Sequence, residues 1–409
     1  MTFLGEFRTN WQSLLATFIG IATGSAIGHY TMSLFSPELI AEFGWSKSQF
    51  ALVGSLPLVT MLVVPLAGRF TDRFGTRTAA IIGFTAMSLG FLAFSLMSGS
   101  IVEFFAIWVV QHIFGVLSTS LVFARLIVER FDKARGSALS VLMMGPPLSG
   151  AITAPLLGAL IAAEGWRAAF VALSVVSAIG GIICVTFMSG NVKPGTGKKK
   201  VHVELSRAEL LALIRQPTFL LLIGGMFLIN IPQVFASSQL KLIVLSTGVT
   251  DQTAIWMVSL YAIGVMAGRV VFGLALDRLR AHLVALFALS LPAVGLLILA
   301  GSVSAVWVLA FGVLVIGLAQ GAEGDLASYL ISRYFELKNF SLILGFVKAG
   351  LDGGGAIGAV ILSYTLHTSD SYGPFLVLSA ATTIVGAICF FLTGHRSSRA
   401  TAAEGMAQA

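Results

Sequence analysis

Three cations interrupt long apolar runs: Arg125, Arg269 and Lys348. A fixed charge deep in an apolar medium costs several kcal/mol, so each needs a partner or a task. Arg269 precedes Asp277 by eight residues, so at 1.5 Å per residue it lies about 12 Å inside its run. Lys348 follows Lys338 by ten, about 15 Å in. Two cations at that depth make an electropositive pocket suited to an organic anion. The Arg269 guanidinium either grips a carboxylate with two parallel hydrogen bonds or is held in an internal ion pair. Lys348 has Asp352 one helical turn further on. That pair is either private, or it leaves Lys348 for a second anionic group and Asp352 for a proton.

The other polar residues in these runs are weaker candidates. Glu323 and Asp325 lie about 15 and 12 Å inside their run, as structural partners for Arg333 or Arg278 or as proton carriers. Arg125 with Glu129 at i+4 reads as a gate ion pair. His29 and Tyr30 either line a cavity or pack; Asn230 and Gln233 flank Pro232, where a kink frees backbone groups for polar side chains. Tyr261 and Tyr329 are further candidates for the pocket wall, and Met143-Met144 beside Gly145-Pro146-Pro147 reads as a bend with packing. The stripes Gly20, Gly24, Gly28 and Gly350, Gly354, Gly358 imply close helix contacts. Cys184 and Cys389 read as small buried apolar residues. No metal cluster, phosphate loop or ordered Ser/His/Asp set is present, so no enzyme, metal or cofactor is expected.

The elements that must position these residues follow from composition. Hydrophobic residues make up 57% of the 409 and charged residues 11%; mean hydropathy is +0.94. A water-soluble surface cannot be covered with so few charges. Twelve stretches are long enough to cross a bilayer, near 12–36, 49–68, 77–97, 101–124, 136–162, 167–189, 218–245, 252–275, 282–301, 304–330, 339–366 and 372–394. The fold expected is an all-α integral membrane protein, twelve transmembrane helices in two pseudo-symmetric six-helix bundles. Met1 to Asn10 lacks a cleavage pattern, so the first helix is expected to be retained. With the N-terminus inside, nineteen Lys and Arg fall on inner segments and three, Lys47, Arg167 and Lys241, on outer ends. That bias predicts both termini on the cytoplasmic side of a cell membrane, and a bacterial inner membrane is the expected one. It also accounts for the net charge of +7 without nucleic acid.

The polar stretch 191–216, with Lys198-Lys199-Lys200, divides the chain into 1–190, a linker and 217–409. A capping box from Ser206 to Glu209 opens a short helix, expected on the membrane face with Leu210, Leu211 and Ile214 inward, and Pro217 stops it. Across the linker a pattern repeats: Gly68-x-x-x-Asp72-Arg73 recurs as Gly273-x-x-x-Asp277-Arg278, and Trp166 is answered by Tyr372. Repeated blocks of membrane helices mark secondary transporters, with the substrate site near midplane between them. The two glycines are expected to permit close helix approach, and Asp72 and Asp277 to latch one conformation.

The whole chain resembles the major facilitator superfamily. Gly68-Arg-Phe-Thr-Asp72-Arg73-Phe-Gly75-Thr-Arg77 is similar to its loop 2–3 signature. The bacterial monocarboxylate and oxalate/formate group is resembled at Phe131 to Leu139, at Gly321-Ala-Glu323-Gly324-Asp325 and at Arg333-Tyr334-Phe335. That resemblance implies carboxylate binding by Arg269, and by Lys348 as the helix 11 lysine of oxalate/formate exchangers. Helix 1 departs from animal monocarboxylate carriers in lacking their acidic-glycine-tryptophan signature. Gly145-Pro146-Pro147-x-x-Gly150 weakly resembles the helix 5 motif of proton-coupled exporters. The expectation is a monomeric carrier of a small organic anion, a mono- or dicarboxylate, in symport with a proton. Anion exchange, or proton-coupled export of drugs or metabolites, is the alternative.

Overall fold

A computed structural model describes the backbone of residues 3–188, 211, 213–301, 303–335 and 340–407, with side chains except at 3, 4, 340, 341 and 394–407. Most of the linker, including Lys198–Lys200 and the capping box at Ser206, lies outside the described residues, as does Lys338. Of the short helix before Pro217, Leu213 is buried and Ile214 packs on the same core, while Leu211 is exposed. Ile214 thus faces inward as expected, Leu213 takes the inward place expected of Leu211, and Leu210 lies outside the described residues. Pro217 opens the next helix, where its missing N–H costs nothing.

Among the described residues every regular element is helical and nine helices are long and apolar enough to cross a membrane; with Arg135–Phe187 divided at its kink and the broken helices of 3–43 and 217–245 counted as one each, they make twelve spans. Helix α1 comprises Phe3–Thr23 and Ser25–Phe43. Then come α2 (Lys47–Phe74), α3 (Thr76–Leu96) and α4 (Ile101–Arg130). A continuous helical run, Arg135–Phe187, turns at Gly165, where φ is +83°, and so forms α5 (135–164) and α6 (166–187). Helix α7 consists of Pro217–Ile229, a π-turn at Phe235–Gln239 and Leu240–Leu245. The last five are α8 (Asp251–Arg278), α9 (Ala281–Ala300), α10 (Val306–Tyr334), α11 (Phe340–Ser369) and α12 (Gly373–Ala407).

The helices form two compact units, residues 1–46 with 56–200, and 47–55 with 201–409. In the first, α1 and α3 pack on the α5–α6 run around Phe84, Phe123 and Leu142. In the second, α8 packs on α10, α9 on α10 and α12, and α7 on α11 and α12, around Leu222, Leu326 and Phe390. The second unit also takes in Lys47–Ser55 from early in the chain, where Gly54 lies against Val234 and Ala359.

Two polar ties repeat between the units. In the first, Trp166 donates from Nε1 to Glu42 (2.5 Å), and Arg167 donates to the other oxygen of that carboxylate (2.6 Å). These bonds, the Trp166 one foremost, hold the Glu42 carboxyl below its ordinary range. In the second, the Tyr372 hydroxyl donates to Gln239 Oε1 (3.2 Å). Near the N-terminus, Glu6 accepts the backbone N–H of Asp132, Lys133 and Ala134 at 3.2, 3.2 and 3.0 Å, at the start of α5. A carboxylate there offsets the positive end of the helix dipole. The bond from Ala134 leads in lowering the Glu6 pKa.

Candidate functional site

The second unit gathers most of the candidate residues. Close backbone contact sets their positions. A Cβ on Gly268 would stand 1.9 Å from the Leu318 carbonyl oxygen, and one on Gly321 would stand 2.1 Å from that of Val265. Only glycine lets α8 and α10 touch here. Arg269 is the next residue on α8, and Glu323 and Asp325 lie within four of Gly321 on α10. The crossing thus brings the cation of one helix to a carboxylate of the other, Asp325. Arg269 Nε lies 3.9 Å from Asp325 Oδ2, too far for a hydrogen bond, and has no hydrogen-bond partner.

The second contact joins α7 to α10 and α11. Helix α7 breaks at Asn230–Pro232, as the proline predicts. Asn230 Nδ2 donates to the Met226 carbonyl (3.0 Å), replacing a helix bond lost at the break. The same amide donates to Glu323 Oε1 (2.5 Å), and Gln320 donates to Glu323 Oε2 (3.1 Å). Glu323 is buried. On α11, Gly354 packs on the Phe227 carbonyl and Gly358 on that of Ile231, with Cβ clearances of only 2.1 and 1.8 Å. Gly355 lies against Gln233. Lys348 donates to Asp352 Oδ1 (2.7 Å); the lysine is 58% exposed and the aspartate 6%.

In the second unit, then, Arg269 faces Asp325 and Lys348 is bound to Asp352. Each of the two cations expected to form an electropositive pocket thus has a protein carboxylate near it, Asp325 at 3.9 Å from Arg269 and Asp352 at 2.7 Å from Lys348.

The remaining candidates are dispersed. Tyr261 is buried in α8. Tyr329 packs on the apolar core, with the Arg333 guanidinium 6.0 Å over its ring. His29 and Tyr30 belong to the first unit, their rings edge to face at 5.2 Å, with Tyr30 against Gly150. There too, Arg125 donates from Nε to Glu129 (2.9 Å) and from NH1 to Asp72, tying α4 to the end of α2. Nothing lies within 4 Å of where a Cβ would stand on Gly68 or Gly273, so within each unit close approach does not account for these glycines. Arg73 lies 5.4 Å over the Phe74 ring, and Arg77, Asp277 and Arg278 are exposed. Among the described residues Asp277 forms no ion pair like that of Asp72.

Lys241 went unrecognised. Its sequence position reads as an outer end, yet it is 1% exposed and bound to Asp251 Oδ1 at 2.7 Å. The Gln239 contact with Tyr372 was also missed, because the π-turn that aims Gln239 has no sequence signature.

The sequence model of the Major Facilitator Superfamily matches residues 14–241 and 234–408. An agnestins efflux protein of Paecilomyces divaricatus is 25% identical over 369 residues, 85% of this chain and 78% of its own. Monocarboxylate transporter 4 of Mus musculus is 26% identical over 364 residues, covering 82% and 73%. A crystal structure of a nucleoside transporter superposes with a TM-score of 0.75 at 12% identity, over 94% of this chain and 99% of that one, which shows a shared fold.

Proposed function

The chain belongs to the Major Facilitator Superfamily and is a multi-pass membrane transporter, and from that premise we propose that it carries a small organic anion, a mono- or dicarboxylate, together with a proton. The observation behind this reading is Arg269. It is a permanent charge within a membrane span, its Nε has no hydrogen-bond partner, and its facing carboxylate stands 3.9 Å away. A substrate carboxylate can fill that vacancy with charge-assisted bonds that Asp325 does not make. The monocarboxylate carrier among the relatives supports the same substrate class.

The compensated charges supply the coupling. Protonation of Asp352 removes its claim on the ammonium and leaves Lys348 free for the anion. Loss of the proton restores the pair and expels the substrate. A monocarboxylate then crosses with one proton and no net charge, which an inside-negative potential does not oppose. Glu323 and Asp325 are the further proton carriers of this scheme. Asn230, Gln233 and Tyr261 complete the wall in the second unit, with His29, Tyr30 and Tyr329 as additional contacts. Asp72 with Arg125 forms a latch that opens and closes in the cycle, together with Gly68, Arg73, Arg77, Asp277, Arg278 and Arg333. The protein acts as a monomer with both termini cytoplasmic, in a bacterial inner membrane. A second reading, proton-coupled export of a metabolite, is favoured by the efflux relative and by Gly145-Pro146-Pro147.

Uptake by proteoliposomes across a panel of carboxylates, with and without an inward proton gradient, tests both. Accumulation driven by the gradient and abolished in Arg269→Ala is expected. Carboxylate uptake by Arg269→Ala equal to that of the unmodified chain would sink the proposal.

A further inference from the structure

The second unit carries a groove between α8 and α9, of about 670 Å³. That volume falls in the range of roughly 300–1,000 Å³ typical of small-molecule sites. Its walls are apolar, among them Val271, Ala275, Leu283 and Phe287, and two of these, Val271 and Phe287, are more than half exposed. Its end is basic: Arg278, the last residue of α8, and Arg280, just before α9, both line it. Both arginines are exposed, and among the described residues neither forms an ion pair. Asp277 stands beside them in sequence, also exposed, so the rim carries one net positive charge. An aqueous surface would not leave such an apolar trough open, whereas a bilayer fills it.

The geometry points to a binding site for an anionic glycerophospholipid, its acyl chain along Val271, Ala275 and Phe287 and its phosphate between Arg278 and Arg280. The occupant must be apolar for most of its length and anionic at one end. A substrate-sized anion meets only the second condition, a zwitterionic lipid only part of it. Guanidinium groups match phosphate oxygens with paired donors, and cationic clusters at the ends of membrane helices recognise anionic headgroups. The bound lipid would fix the α8–α9 turn at the end of the helix that carries Arg269. The site itself is independent of what the transporter moves.

Native mass spectrometry of the full chain in detergent, titrated with phosphatidylglycerol and phosphatidylcholine of the same acyl length, tests this. The unmodified chain is expected to retain phosphatidylglycerol preferentially. Replacing both arginines (Arg278→Gln with Arg280→Gln) turns the rim from one net positive to one net negative charge. At about 1 kcal/mol per cation near a charged lipid surface, the preference should fall about 30-fold (about 2 kcal/mol at 1.4 kcal/mol per decade). Arg135→Gln, a cation paired with Asp132 in the first unit, should leave it unchanged. Ala275→Trp, which fills the trough without touching the charges, should lower retention of both lipids. Equal retention of the two lipids by the unmodified chain would overturn the proposal. So would an undiminished preference in the double variant, or displacement of the lipid by millimolar inorganic phosphate, which would mark a plain anion site.

Discussion

Alanine at Gly354 is a stringent test of how α7 and α11 hold the polar cluster. A Cβ there would stand 2.1 Å from the Phe227 carbonyl oxygen and 3.2 Å from Asn230 Cβ. An ordinary carbon–oxygen contact is about 3.3 Å, so α11 must retreat from α7 by more than about 1 Å. The obstacle is backbone and cannot rotate away, so the cost belongs at the top of the overpacking range, about 3 kcal/mol. Replacing a mid-helix glycine by alanine recovers about 0.5–1 kcal/mol. The net expectation is destabilisation by about 2 kcal/mol, a fall in Tm of about 4–8 °C for a unit of some 200 residues. The control is the adjacent residue. A Cβ on Gly353 would meet nothing closer than 3.7 Å, so Gly353→Ala should be neutral or slightly stabilising. Size-exclusion fluorescence after heating in detergent ranks the variants under matched scan rates. Because the retreat carries Lys348 and Asp352 away from Asn230, Gly354→Ala should also raise the substrate concentration for half-maximal uptake. If Gly354→Ala equals or exceeds Gly353→Ala in Tm, the close approach has been misread.

Three further expectations concern single charges. Asp251→Ala leaves the Lys241 ammonium buried without its partner; removing one member of a buried pair costs about 3–5 kcal/mol, and a half-exposed Asp251 points to the lower figure, about 3 kcal/mol, readable as a lower Tm. Glu6 has a depressed folded pKa, so its hold on residues 132–134 is complete above the ordinary value of 4.5 and is lost as pH falls through the folded value. The protection factors of those three amides (intrinsic over observed exchange rate at each pH) should fall on acidification in the unmodified chain and be low at all pH values in Glu6→Gln. Asp72→Asn weakens the tie to Arg125 and should change the ratio of inward to outward forms in a cysteine-labelling assay; an unaltered ratio rules out a latch there.

Hydropathy made the spans legible because a bilayer demands about 20 apolar residues whatever the neighbours do. It made their ends less so. A short helix from Phe3 precedes the first span, set off from it by a kink at Asn10 (φ −109°), and its polar residues Glu6 and Asn10 find backbone partners at the α4–α5 connection. A bend at Gly24 and the π-turn at Phe235–Gln239 left no periodic trace either. Within the site, contacts along one helix could be read from spacing, as with Lys348 and Asp352 at i+4. Contacts across helices could not. Asn230 and Glu323 are 93 residues apart, and each alone reads as an isolated polar side chain. Lys241 misled for a related reason: counting charges assigns a residue to a side of the membrane but says nothing of its burial.

Residues 47–55 precede the linker by some 140 positions, yet they are built into the second unit, with Gly54 against Val234 and Ala359. Cutting the gene at the linker therefore does not cut the molecule at its seam. A fragment starting at residue 201 would leave Val234 and Ala359 uncovered, and a chimaera joined there would meet a foreign version of the first nine residues of α2. Transplanting 47–55 together with the later half is the exchange that respects how the chain is put together.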